Sequence, residues 1–180
     1  MGMALTVPRY MVDDLERFPS DGNRYELLDG LLLVTPAPRQ AHQWVAFELA
    51  FRLANQTRDV ARVVGPGVVT RPPWTQLEPD ILVYPVRFRP TSQWPDVTEH
   101  WLAVEVLSRS SRIYDREFKR DAYFALGVQQ VWLVDVEDRS VSVWRSRTEQ
   151  KVVRDVIHWR VPTTDREATI ELGEIFAELE

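Results

Sequence analysis

The apolar positions along this chain change period several times, and each change predicts an element. A short apolar-polar stretch at residues 12–18, ahead of the breaker Pro19-Ser20-Asp21-Gly22-Asn23, predicts a brief helix. Residues 25–34 read as two short strands meeting at Asp29-Gly30, a dipeptide that supplies the positive φ angles of a tight hairpin turn, with Pro36 and Pro38 closing the unit. Residues 40–55 contain no breaker. Their apolar positions fall on two sides of a helix, Val45, Ala46, Leu49 and Leu53 on one and Trp44, Phe47, Phe51 and Ala54 on the other. Glu48, Arg52 and Asn55 share the remaining stripe, so the pattern predicts a mostly buried helix with one narrow wet edge.

Residues 60–70, interrupted at Gly65-Pro66-Gly67, and residues 79–84 read as strands. Residues 85–100 hold Pro85, Pro90 and Pro95 with no sustained period, which predicts a loop long enough to serve as a binding element. Residues 101–107 form an apolar strand, residues 108–111 break it, and residues 115–126 show a helical period that Gly127 ends. A strand at residues 130–136 completes a strand–helix–strand crossover, the unit of a partly parallel sheet. Residues 140–145 and 151–157 read as antiparallel additions, the first after a turn at Glu137-Asp138-Arg139, and residues 172–179 as a terminal helix. The order predicts one domain of α/β class, in its α+β variant, with no internal repeat.

Composition narrows the chemistry. At 180 residues the chain fits a single domain, and the absence of cysteine removes disulfides, thiolate catalysis and every cysteine-based metal site. The start has no leader-like pattern and no apolar run reaches the length of a membrane helix, so a soluble, cytoplasmic protein with no membrane partner is expected. Twenty-two basic against 27 acidic residues give a net charge of −5, which argues against an undirected nucleic-acid binder. A weak basic patch is carried by Arg109, Arg112, Arg116, Lys119 and Arg120 against Asp115, Glu117 and Asp121. Seven tryptophans, with Trp74, Trp94, Trp144 and Trp159 in less apolar settings, suggest a contact surface.

Glu105 is the residue that most needs explaining. It interrupts the apolar run Trp101-Leu-Ala-Val-Glu-Val-Leu107, where a carboxylate must be paired, protonated or bound to a metal. Strand alternation sets it on one face with Trp101, Ala103 and Leu107. A structural salt bridge or an edge position would also account for it. Asp80 follows Pro79 at the start of another apolar strand; alone it reads equally well as a turn. Together the two acids suit a hard divalent ion, since Mg²⁺ takes oxygen ligands and often only one or two protein carboxylates. In the helix that follows, Asp115, Lys119 and Tyr123 form an i, i+4, i+8 line bordering an apolar stripe of Phe118, Ala122, Ala125 and Leu126. From that border Lys119 can bury its stem and present its ammonium to a cleft, or simply pair with Asp115. His42, on the Val45–Leu49 side of the long helix, reads as a packed, hydrogen-bonded histidine. Glu26 either faces solvent or enters the same cleft.

These blocks, Arg24-Tyr-Glu-Leu-Leu-Asp-Gly30, His42, Pro79-Asp80-Ile-Leu-Val83, Leu102-Ala-Val-Glu-Val-Leu-Ser108, Asp115-Arg-Glu-Phe-Lys119 with Tyr123, and Gly127-Val-Gln-Gln-Val-Trp-Leu-Val-Asp135, resemble in order and spacing a bacterial family of restriction-endonuclease-like proteins once called domain of unknown function 820. That family belongs to the nuclease superfamily with the pattern Pro-Asp, a gap, then Asp or Glu, any residue, Lys. The resemblance implies a mixed β-sheet flanked by helices with extra antiparallel strands. It places Asp80 and Glu105 as the two acids, Lys119 as a substitute for the lysine whose usual position is held by Leu107, and Glu26 and Tyr123 as further site residues. It implies that Asp80, Glu105 and the Val106 carbonyl hold Mg²⁺ or Mn²⁺, that the substrate is DNA, with the 85–100 loop within its reach, and that the protein is a homodimer. The alternatives are a weak or inactive nucleic-acid-binding protein on the same scaffold, or an enzyme acting on a small anionic substrate.

Overall fold

The computed structural model describes residues 7–107 and 118–179. Its centre is a six-stranded mixed sheet assembled from β3 (Ala61–Val64), β6 (Ile81–Pro85), β7 (Leu102–Leu107), β8 (Val131–Asp135), β9 (Ser140–Trp144) and β10 (Gln150–Val153), in the spatial order β10-β9-β8-β7-β6-β3. Only β7 and β8 run parallel, as the crossover predicted; every other pairing in this sheet is antiparallel. A second sheet of four short strands combines β1 (Arg24–Leu28), β2 (Leu31–Thr35), β4 (Val69–Arg71) and β5 (Thr75–Leu77) in the order β2-β1-β5-β4. The predicted hairpin is present, with Leu28 opposite Leu31 and positive φ at Asp29 and Gly30.

The two faces of the central sheet seed two cores. On one face Ile81, Val83, Val104, Val106, Trp132 and Val134 meet Val45, Leu49 and Leu53 of α1 (Gln40–Thr57), together with the hairpin β11 (Val156–Arg160) and β12 (Glu167–Glu171) and the terminal α3 (Leu172–Ala177). Gln56 of α1 ties this layer together: its amide accepts from the Thr169 N–H at 2.8 Å and donates to the Thr169 carbonyl at 2.8 Å, as a neighbouring strand would. On the opposite face Leu82, Tyr84, Ala103, Leu107 and Leu133 meet Val69 and Leu77 of the small sheet and Ala122 and Tyr123 of α2 (Arg120–Ala125). Strand alternation thus sends even-numbered residues of β6 and odd-numbered residues of β7 to this second core, because antiparallel partners in register point the same way.

Several expectations are revised. The long helix is wet on a whole apolar side: Trp44, Phe47 and Phe51 are exposed, while Glu48 and Arg52 pair with each other and lie half-buried. One sheet face can cover only one side of a helix, and nothing among the described residues covers the other. Trp101 precedes β7 and joins the α1-side core, away from the face of Glu105. The apolar run at residues 151–157 is split, β10 pairing with β9 and Val156-Ile157 opening a separate hairpin with β12. Residues 60–70 divide between the two sheets, and β5 and β12 are additional strands; β5 is three residues long and carries too little pattern to show in sequence. Trp159 is core, Trp94 packs on Tyr84, and Trp144 lies under the Arg120 guanidinium, leaving Trp74 as the exposed member of that predicted set. The predicted break at residues 108–111, the first part of the predicted helix with Asp115, and the arginines of the basic patch at 109, 112 and 116 lie outside the described residues.

Candidate active site

The cleft forms where β6 and β7 part company. Their ladder ends with Ile81 opposite Val104, and one step further the same register sets Asp80 across from Glu105, both on the second-core face. The backbone does not continue the ladder there. The Pro79 carbonyl accepts from the Gly67 N–H at 3.2 Å, and the Val106 N–H is taken by Asp80 Oδ2 at 2.8 Å. On the other edge of β6 the chain at residues 65–67 lies so close to the strand that only glycine fits at 65 and 67. A Cβ on Gly65 would stand 2.7 Å from the Asp80 carbonyl oxygen, and one on Gly67 would stand 2.4 Å from Leu82 Cβ.

The small sheet supplies two more groups from one strand. Arg24 and Glu26 are two residues apart on β1 and therefore share a face, the one turned toward the cleft. Arg24 Nη1 donates to Asp80 Oδ1 at 3.0 Å and to the Glu78 carbonyl at 2.9 Å. Glu26, fully buried, accepts from the Glu78 N–H at 2.7 Å through Oε1, and its Oε2 lies 2.7 Å from Lys119 Nζ. From α1, His42 brings Nε2 to 3.1 Å from Asp80 Oδ2. Lys119 immediately precedes α2, in a wider turn than an α-helix, and places Nζ 3.1 Å from Glu105 Oε1. The Tyr123 hydroxyl donates to the same oxygen at 2.5 Å.

Burial makes these contacts consequential. Glu26, Asp80, Glu105 and Lys119 are each at most 7% exposed, so their charges must be matched within the protein. Burial alone would raise the pKa of Asp80, but the His42 hydrogen bond and charge, the Arg24 guanidinium and the Val106 N–H prevail and hold it below the usual carboxylate value. For Arg24 burial opposes the charge, and Asp80, then Glu105 and Glu26, more than restore it. Tyr123 is pushed well above the ordinary phenol range by burial and by the charge of Glu105, which keeps its hydroxyl a donor. Burial and the neighbouring Glu26 raise Glu78.

Asp80, Glu105, Lys119, Glu26 and Tyr123 thus converge, and His42 joins them. Asp80 and Glu105 are both paired within the protein, one of the outcomes open to a carboxylate beside apolar residues. Three details differ from expectation. The buried face of the helix is turned: Lys119 and Tyr123, expected at its border, are buried with Ala122 while Phe118 is exposed, because two buried carboxylates draw the polar line inward. Arg24 is an additional site residue, whose signal in the sequence is its alternation with Glu26 on a strand beginning Arg-Tyr-Glu. The 85–100 loop leaves β6 at the end opposite Asp80, where Phe88 and Trp94 pack on Tyr84, so it does not line this cleft. Leu107 is packed in the second core, which leaves Lys119 as the lysine beside Glu105.

A mixed sheet with α1 and α3 on one face, a short antiparallel sheet and α2 on the other, and acids at the splayed strand ends defines a restriction-endonuclease-like domain. The chain belongs to the Uma2 family, described as “Putative restriction endonuclease”, which matches residues 12–180. The chain is similar to a crystal structure described as a putative nuclease of the domain-of-unknown-function-820 group from Anabaena variabilis, with a TM-score of 0.73 and 18% identity over 94% of this chain and 99% of the other. At that identity the likeness speaks to the fold. No curated protein matches the chain. No helix among the described residues is long and apolar enough to cross a membrane.

Proposed function

We propose that this protein is a divalent-metal-dependent endonuclease that hydrolyses phosphodiester bonds in DNA. The observation that carries this reading is the placement of Asp80 and Glu105 in register on one face of two parting strands, with Lys119 Nζ against Glu105. The donor set suits a hard ion. Asp80 and Glu105 offer carboxylate oxygens, and Val106 directs its carbonyl to the side on which its own N–H meets Asp80. Mg²⁺ or Mn²⁺ needs only one or two protein carboxylates and completes its shell with water and substrate.

When bound there, such an ion supplies acidification of a water and stabilisation of charge on the phosphate oxygens. The remaining work belongs to the chain. His42, Arg24 and the Val106 N–H hold the Asp80 carboxylate in one orientation, and Tyr123 and Lys119 do the same for Glu105. Lys119, held by Glu26 on its other side, sets a positive charge where the pentavalent phosphate develops negative charge. The test is hydrolysis of DNA and RNA by the purified protein: cleavage of DNA with Mg²⁺ or Mn²⁺ and none with chelator is expected, whereas cleavage that survives chelation, or none with either ion, overturns the reading.

A homodimer is part of the proposal, since cutting both strands of a duplex generally calls for two sites. The exposed aromatic row on α1 supports it: Trp44, Phe47 and Phe51 stack along the helix with ring centroids 6.4 and 6.2 Å apart. Phe51→Glu is expected to halve the mass seen by light scattering while leaving the melting temperature of the fold near that of the wild type. A wild-type monomer would count against the dimer.

A further inference from the structure

A groove of about 280 Å³ opens beside Asp80, lined among others by Arg24, His42, Phe47, Gly65 and Pro66. Among the described residues lining it, Arg24 carries the permanent positive charge; Lys119 lies deeper, 4% exposed at its side chain and paired with Glu26 and Glu105. The Arg24 side chain retains 21% exposure. A guanidinium has five N–H donors in a rigid fork. Those of Nη1 go to Asp80 Oδ1 and the Glu78 carbonyl, while Nε and Nη2 donate to no acceptor among the described residues.

We propose that Arg24 is a substrate-binding residue, anchored through Nη1 to Asp80 and receiving the non-bridging oxygens of a phosphodiester on Nε and Nη2. A purely structural ion pair would use the fork side-on, with two parallel N–H donors on the two Asp80 oxygens. Here the second oxygen is taken by His42 and by the Val106 N–H, so the guanidinium meets Asp80 through Nη1 alone, and its Nε and Nη2 edge is left out of the pair. The free edge matches a phosphodiester, which offers two oxygens in one plane, and the anchor at Asp80 fixes where that phosphate sits. It lies one guanidinium away from the carboxylate, on the groove side of the site. Asp80 thereby positions the substrate through Arg24 in addition to any ion it holds. This inference rests on the nuclease reading of the cleft.

Arg24→Lys separates the two roles of the side chain. Lysine keeps the charge and can still pair with Asp80, but as a point charge it has no second, rigidly directed edge. Fluorescence anisotropy with a labelled DNA oligonucleotide, at low salt and with chelator present, reads substrate binding without any metal. The expected result is binding by the wild type and at least about a tenfold loss of affinity in Arg24→Lys and in Arg24→Gln, with the lysine variant melting near the wild type. Equal affinity in wild type and Arg24→Lys overturns the role of Arg24 and leaves metal-dependent cleavage standing. Failure of the wild type to bind or cleave DNA overturns both. Should the variants lose their fold, the Arg24 Nε–H resonance of the wild type decides: it shifts on titration with DNA if this edge holds phosphate, and an unmoved resonance under saturating DNA refutes the assignment.

Discussion

Lys119→Met is expected to remove DNA cleavage and to cost about 3–5 kcal/mol of stability, the range for breaking a buried charge pair on one side. The loss is large because Lys119 is 3% exposed and its ammonium lies 2.7 Å from Glu26 Oε2 and 3.1 Å from Glu105 Oε1. Methionine fills similar space and leaves two carboxylates sharing a site that water hardly reaches. Adding Glu26→Gln to Lys119→Met removes one of those charges and should recover part of the stability without recovering cleavage. Urea unfolding and a plasmid-cleavage assay on the three variants check both halves. An unchanged unfolding midpoint in Lys119→Met would show that the lysine does not neutralise these acids.

For Asp80→Asn, cleavage with Mg²⁺ or Mn²⁺ is expected to fall by about 10³-fold, equivalent to roughly 4 kcal/mol of lost transition-state stabilisation. The amide keeps the shape of the side chain but offers one neutral oxygen in place of two charged ones, where His42, Arg24 and the Val106 N–H now meet a carboxylate. Stability carries a second signature. The folded-state pKa of Asp80 lies below the ordinary value of 3.8, so the unfolded chain binds the extra proton first as pH falls. The stabilisation from this group is therefore complete above about pH 4 and is lost as pH drops through the lower, folded-state pKa. The stability gap between wild type and Asp80→Asn should narrow on acidification below pH 4. A gap that widens there would contradict the ion pairing, and retained cleavage would remove Asp80 from the metal site.

Much of the architecture was legible because it rests on local chemistry. Asp29-Gly30 makes a hairpin since both residues accept positive φ, and Gly127, at φ 87°, ends α2 for the same reason. The apolar run of β7 and the crossover to β8 follow from length and period. Where local pattern is ambiguous, tertiary packing decides. The two apolar sides of α1 look alike in sequence, yet only the Val45–Leu49–Leu53 side meets a sheet. Phe118 looks like core and Lys119 like its border, and the structure exposes the first and buries the second because Glu26 and Glu105 wait on the inner side.

The candidate site divides along the same line. Asp80 and Glu105 stand out in the sequence because an acid at or within an apolar strand is costly unless something answers its charge. What answers it was decided only by tertiary structure: Arg24 reaches Asp80 across 56 residues, and Lys119 and Tyr123 reach Glu105 across 14 and 18. Period and propensity act over a few residues and so determine strands, turns and the faces on which side chains lie. Counter-charges, burial and the direction of a guanidinium fork depend on which faces are brought together. That is why the two acids could be read from the chain, while the small sheet that carries Arg24 and Glu26 into the cleft could not.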